Sequence, residues 1–124
     1  MEKPSILVVD DELLIRDLLY DFFTGQGWSI SVAENGEKAL EVLNEKSIDL
    51  ILSDIKMPEM DGLTLASRVR QTHPNLPVVL MTGFPSVETA VSALRNRVED
   101  YVIKPFNMNQ LYKLIESKLA EKES

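Results

Sequence analysis

Four polar endings punctuate this chain: Asp10-Asp11, Asp54, Thr82 and Lys104 each follow a short apolar run. The stretch DLILSDIKMPEMDG (49–62) shows the pattern most plainly, with an apolar run that climbs to one carboxylate and then turns through Met57-Pro58 and Asp61-Gly62. Each ending has an ordinary reading by itself. Asp10-Asp11 caps the helix that follows, Asp54 opens a turn, and Thr82 and Lys104 sit at strand edges. Together they describe one chemistry. Two carboxylates ~4 Å apart repel by about 4 kcal/mol at an effective dielectric near 20, and a divalent cation removes that repulsion. Carboxylate oxygens with no Cys in the chain and the single histidine far off in a loop point to Mg²⁺, which keeps waters and favours phosphate oxygens. Lys104 adds a positive charge suited to a phosphoryl oxygen, and Thr82 adds a hydroxyl donor. A carboxylate beside Mg²⁺ can act as a nucleophile and form an aspartyl phosphate. Phosphoryl transfer asks mainly for positioning and charge neutralisation, which such a set supplies.

These endings meet only if the elements that carry them are arranged to bring them together. Apolar runs recur at 6–9, 30–33, 50–52, 78–81 and 101–103. Three are continuous rather than alternating, as strands buried on both faces of a parallel sheet are. Between them the spacing predicts helices over 12–25, 36–46, 63–72, 86–96 and 108–121. In the first, Leu14, Leu18 and Phe22 form one stripe with Ile15 and Leu19 beside it, and Gly25 and Gly27 mark its end. Asn35 caps the second helix, and Asn107 with Gln110 resembles a capping box for the last. Val87, Ala90, Val91 and Leu94 are the apolar residues of the fourth. Strands alternating with helices predict an α/β fold: a doubly wound, five-stranded parallel sheet of flavodoxin type, strand order 2-1-3-4-5. Ligands of such sheets bind beyond the carboxyl ends of the strands, where all four polar endings fall.

Composition narrows the function. A chain of 124 residues with 44% hydrophobic content fits one domain, with a core over about 5–120 and a frayed end or linker start at 121–124. No run approaches the eighteen apolar residues of a membrane span, and the acidic N-terminal stretch lacks signal-peptide features. Absence of cysteine suits the cytoplasm, the expected location. A net charge of −7 disfavours direct nucleic-acid binding and suits cations or a basic partner patch. His73 lies in QTHPNLP and reads as an exposed loop residue.

The motifs VVDDE (8–12), SDIKMPEMDG (53–62), LMTG (80–83) and DYVIKPF (100–106) resemble the receiver domain of bacterial two-component response regulators. The resemblance covers residues 5–120. It implies that Asp54 is the phosphoacceptor. Asp11 and Asp54 match direct Mg²⁺ ligands, Asp10 a ligand through water, and the backbone carbonyl of Lys56 a third protein ligand. Thr82 matches the switch hydroxyl, Lys104 the phosphoryl-binding lysine and Tyr101 the aromatic switch. The Lys104-Pro105 bond is cis in the family. The family implies a phosphorylation switch rather than an enzyme acting on other substrates. A sensor histidine kinase would be the donor, and an effector domain or downstream protein the output, with room for homodimerisation on phosphorylation. TGFPSVETAVSAL (82–94) further resembles the nitrogen-regulation subfamily. Two positions depart from the pattern: Asn96-Arg97-Val98 stands where many receivers have a small Gly-Ala turn, and bulky Phe84 lies two residues past Thr82.

Three rivals have weaker support. A haloacid-dehalogenase-like phosphatase needs a second Asp two residues after the nucleophile, where Lys56 stands. A receiver-like interaction module without phosphotransfer would not need every acidic and switch position filled. A flavin binder needs a phosphate-cradling loop after the first strand, where Asp10-Asp11-Glu12 would repel the phosphate.

Overall fold

The computed structural model describes residues 3–123. Five strands and five helices alternate: β1 Ser5–Val9, α1 Leu13–Gly25, β2 Ser29–Ala33, α2 Gly36–Glu45, β3 Leu50–Asp54, α3 Gly62–Thr72, β4 Val78–Thr82, α4 Val87–Arg95, β5 Asp100–Ile103 and α5 Met108–Glu123. All strand pairs are parallel, in the order β2-β1-β3-β4-β5. The expected 2-1-3-4-5 sheet is therefore the one formed. Ser124 lies outside the described residues, and α5 runs through most of the stretch expected to fray.

The continuous apolar runs follow from burial on both faces. Along β1, Leu7 and Val9 point into a core shared with α2 and α3, including Ala39, Leu43, Leu65 and Val69. Ile6 and Val8 point into the opposite core with Leu19, Phe23, Leu111 and Ile115 of α1 and α5. Each fully buried aliphatic side chain contributes about 1.5–3 kcal/mol, so the central strands are the rigid part of the molecule. Local chemistry sets the helix starts. Asn35 accepts from Lys38 N (2.8 Å), Asp61 from Thr64 N (2.8 Å), Ser86 from Thr89 N (3.1 Å) and Asn107 from Gln110 N (3.1 Å).

The α1 stripe differs from expectation. Leu14 is 78% exposed and Leu18 52%, while Leu19 and Phe23 are buried with Ile15 and Phe22 packed against them. LLIRDLLYDFF offers two adjacent i, i+4 rows. Aromatic packing selects one of them: Phe23 stacks on Trp28 with centroids 5.2 Å apart, and Trp28 in turn stacks on Tyr112 at 4.7 Å. On α4 only Ala93 is buried, and Val87 and Leu94 face outward. The helix ends where Arg97 takes a left-handed φ of 54°, closed by a Val98 N to Ala93 O bond of 3.2 Å. A glycine would adopt that conformation without the roughly 1–2 kcal/mol that a side chain costs there.

Candidate functional site

The carboxyl ends of β1, β3, β4 and β5 meet on one rim because the sheet is parallel and in register. Asp54 pairs with Met81 across β3 and β4, Thr82 pairs with Ile103 across β4 and β5, and Lys104 N donates to Thr82 O at 2.8 Å. At that rim Lys104 Nζ lies 3.0 Å from Asp10 Oδ2, 3.5 Å from Asp54 Oδ1 and 4.0 Å from Glu12 Oε1. Asp10 and Asp54 are both buried. The peptide bond between Lys104 and Pro105 is cis.

The buried charges disturb one another. Asp54 is pushed up from 3.8 to about 6, first by burial and then by repulsion from Asp10; attraction and a hydrogen bond from Lys104, with a hydrogen bond from Ile55 N, pull only part of the way back. Burial pulls Lys104 down, but its hydrogen bond to Asp10 and the charges of Asp10, Asp54 and Glu12 outweigh it, so the amine is held above its usual range.

Carboxylate oxygens of Asp10, Glu12 and Asp54 all lie within 4.8 Å of one another, which suits a hard divalent cation. Glu12 was not foreseen as part of this group. It is the third residue of the acidic run and the residue just before α1, and that placement was the available signal. Asp11 is exposed; it lines the same cavity of about 240 Å³ as Glu12, Asp54, Lys56, Thr82 and Lys104, but stands outside the close group of three carboxylates. Thr82 is buried, and its Oγ1 accepts from Phe84 N at 3.0 Å, which leaves the O–H as a donor. Phe84 is 71% exposed at the cavity wall, and Lys56 Nζ sits 5.4 Å from the centre of its ring. Tyr101 projects from β5 to the start of α4, with its Oη 2.6 Å from Thr89 Oγ1 and accepting from Ser86 N at 3.4 Å. His73 is partly exposed at the end of α3, with Nδ1 2.8 Å from Thr72 Oγ1.

The profile of the response regulator receiver domain matches residues 6–116. The chain belongs to that family. The family is a phosphoacceptor signalling module of two-component systems. Among curated relatives, the transcriptional regulatory protein ZraR of Escherichia coli K12 is 40% identical over 123 residues, 99% of this chain and 28% of that protein. The DNA-binding transcriptional regulator NtrC of the same organism is 40% identical over 120 residues, 97% of this chain and 26% of that protein. This receiver therefore spans about a quarter of the length of those relatives. Among solved structures, the CheY-like receiver of Methanospirillum hungatei JF-1 superposes with a TM-score of 0.94 at 30% identity, covering 98% of this chain and 97% of that one. The NtrX receiver of Brucella abortus gives 0.87 at 38% identity, covering 93% and 98%. The likeness to NtrC and NtrX agrees with the nitrogen-regulation subfamily read from residues 82–94.

Proposed function

We propose that this receiver takes a phosphoryl group on Asp54 from the phosphohistidine of a sensor histidine kinase, in a Mg²⁺-dependent reaction, and then shifts conformation to control a joined output domain or a partner. The observation that carries the reading is Asp54 itself: 6% exposed, 3.5 Å from Lys104, and held among carboxylates whose repulsion a cation would relieve. An Asp54 carboxylate oxygen forms the new O–P bond as the P–N bond breaks, and the electron pair stays on the leaving imidazole nitrogen. Lys104 already faces the attacking carboxylate and exchanges part of its pairing with Asp10 and Asp54 for a phosphoryl oxygen. The Thr82 hydroxyl donates a hydrogen bond to another phosphoryl oxygen. Asp11, Asp54 and the Lys56 carbonyl would hold Mg²⁺, with Asp10 through water and Glu12 close enough to join. When bound, Mg²⁺ supplies the positive charge that offsets the carboxylates and the phosphoryl oxygens.

The phosphoryl group adds about −1.5 to −2 charges and new acceptor oxygens. Because Thr82 Oγ1 is bonded to Phe84 N, movement of the hydroxyl toward the phosphoryl group pulls on the loop between β4 and α4. Tyr101 is bonded to the start of α4 and follows. A shift from 1:99 to 99:1 needs about 5.5 kcal/mol of preference for one state. Two or three hydrogen bonds to a charged group, at about 1.5–3 kcal/mol each, supply that amount. The readout face is α4, β5 and α5. A protein donor is supported by the apolar cavity of about 450 Å³ next to Lys104, which Ile15, the half-exposed Leu18, Phe106 and Met108 help to line. The longer relatives are transcriptional regulators, which supports transcription as the output when an effector domain is joined. The reading is tested by incubating the chain with acetyl phosphate and following its mass with Mg²⁺ and with chelator. One phosphoryl group is expected with Mg²⁺ and little without it; equal labelling in both would contradict the metal's role.

A further inference from the structure

The geometry points to Arg16 as a positioning residue for the cation-binding turn, fastening Asp10 to α1 through the backbone without drawing on any carboxylate. Asp10 is held on four sides. Its N donates to Ala33 O at 3.1 Å, its Oδ1 accepts from Glu12 N at 2.9 Å, its Oδ2 faces Lys104 at 3.0 Å, and its carbonyl oxygen accepts from Arg16 Nη1 at 2.7 Å. Two of these four use the carboxylate, and a cation at the rim competes for both. The Ala33 bond fixes the strand end but not the turn beyond it. The Arg16 side chain ties the Asp10 carbonyl to α1, as Arg16 N ties the Glu12 carbonyl at 3.1 Å, and neither bond draws on a group the cation would use.

The start of α1 needs such a tie. Glu12 at the N-cap position makes no side-chain capping bond, and the first turn of the helix carries no acidic residue. A carboxylate committed to capping there would be lost to the metal. Arg16 also makes no ion pair within 4.0 Å among the described residues, so its charge does not consume Asp10, Asp11 or Glu12 either. A partly buried guanidinium bonded to a carbonyl thus holds the acidic turn in place at a position where a salt bridge would compete with the ligand.

This inference rests on the reading of the rim as a Mg²⁺ site, and charge gives it a test of opposite sign. Removing a cation near a metal site should tighten Mg²⁺ binding if charge alone matters. Removing a positioning group should weaken it, by about tenfold for groups that orient ligands. Arg16→Met keeps the apolar stem and deletes the donor. We expect its Mg²⁺ dissociation constant, measured by calorimetry on the whole chain, to rise about tenfold. The metal-free amides of Asp11 and Glu12 should exchange faster, and Arg16→Lys, which keeps one donor, should fall between. Binding within twofold of wild type, or tighter, overturns the inference while leaving the site intact. Should Arg16→Met fail to fold, Arg16→Lys decides: unchanged Mg²⁺ affinity and unchanged amide exchange at Asp11 and Glu12 when the donor is shortened overturn it. Wild-type protein that binds no Mg²⁺ overturns the reading of the rim, and the inference with it.

Discussion

Asp54→Asn should make the metal-free protein more stable, although it removes the central residue of the site. The folded state holds the Asp54 carboxyl at about 6 against 3.8 for the unfolded chain. At 1.36 kcal/mol per pKa unit that difference is about 3 kcal/mol. The sign follows from the raised value. Below pH 3.8 both states are protonated and the group has no effect. As pH rises through 3.8 toward about 6, the unfolded chain ionises first and stability is lost; above about 6 the loss is complete. An amide of the same shape never ionises, so the variant keeps that stability at neutral pH. For a chain of 124 residues, 3 kcal/mol corresponds to about 10 °C in Tm. Urea unfolding from pH 4 to 8 in chelator is the assay. Wild type and Asp54→Asn should differ little near pH 4 and by about 3 kcal/mol above pH 6.5, with saturating Mg²⁺ closing much of the gap by stabilising wild type. A variant no more stable than wild type at pH 7.5, or a gap that does not change with pH, would refute the electrostatic account of the site.

Other perturbations reach the site through its supports. A methyl group at Gly62 would collide with the Asp54 carbonyl oxygen and come within 3.0 Å of Ile55 Cα, so Gly62→Ala should cost about 1–3 kcal/mol in urea unfolding and slow labelling by acetyl phosphate. Phe84→Ala removes the ring beside Lys56 and opens the outer wall of the cavity to water, so the phosphorylated chain, followed by mass over time, should lose its phosphoryl group faster than wild type. Thr89→Val deletes the 2.6 Å bond to Tyr101 together with the Oγ1 bonds to Ser86, and at about 1 kcal/mol or more should quicken amide exchange in the first turn of α4 by about fivefold or more.

The sheet order, the strand ends and the convergence of Asp10, Asp54, Thr82 and Lys104 could be read in the sequence because continuous apolar runs leave few ways to stack βα units. The α1 face could not. Rows 14-18-22 and 15-19-23 are almost equally apolar, and what separates them is packing that spacing does not show: Phe23 stacks on Trp28 just past the helix and on Tyr112, which is distant in sequence. The same limit applies to α4, where Val87, Val91 and Leu94 are exposed, Ala90 is half-buried and Ala93 turns in. Glu12 joins the acidic group through the exact path of the turn after β1, which Arg16 and the Asp10 carboxylate shape across six residues or fewer. Spacing shows that a run is acidic; it does not show which of three neighbouring carboxylates swings inward.

The role of Asp54 is tested most directly by locating the phosphoryl group. The chain is treated with acetyl phosphate and Mg²⁺, the acyl phosphate is trapped by borohydride reduction, and the modified residue is found by peptide mass mapping. Phosphorylation at this rim predicts a single trapped product at Asp54 and none in Asp54→Asn. Trapping at Asp10, Asp11 or Glu12 in the wild-type chain, or stoichiometric labelling of Asp54→Asn, would contradict it.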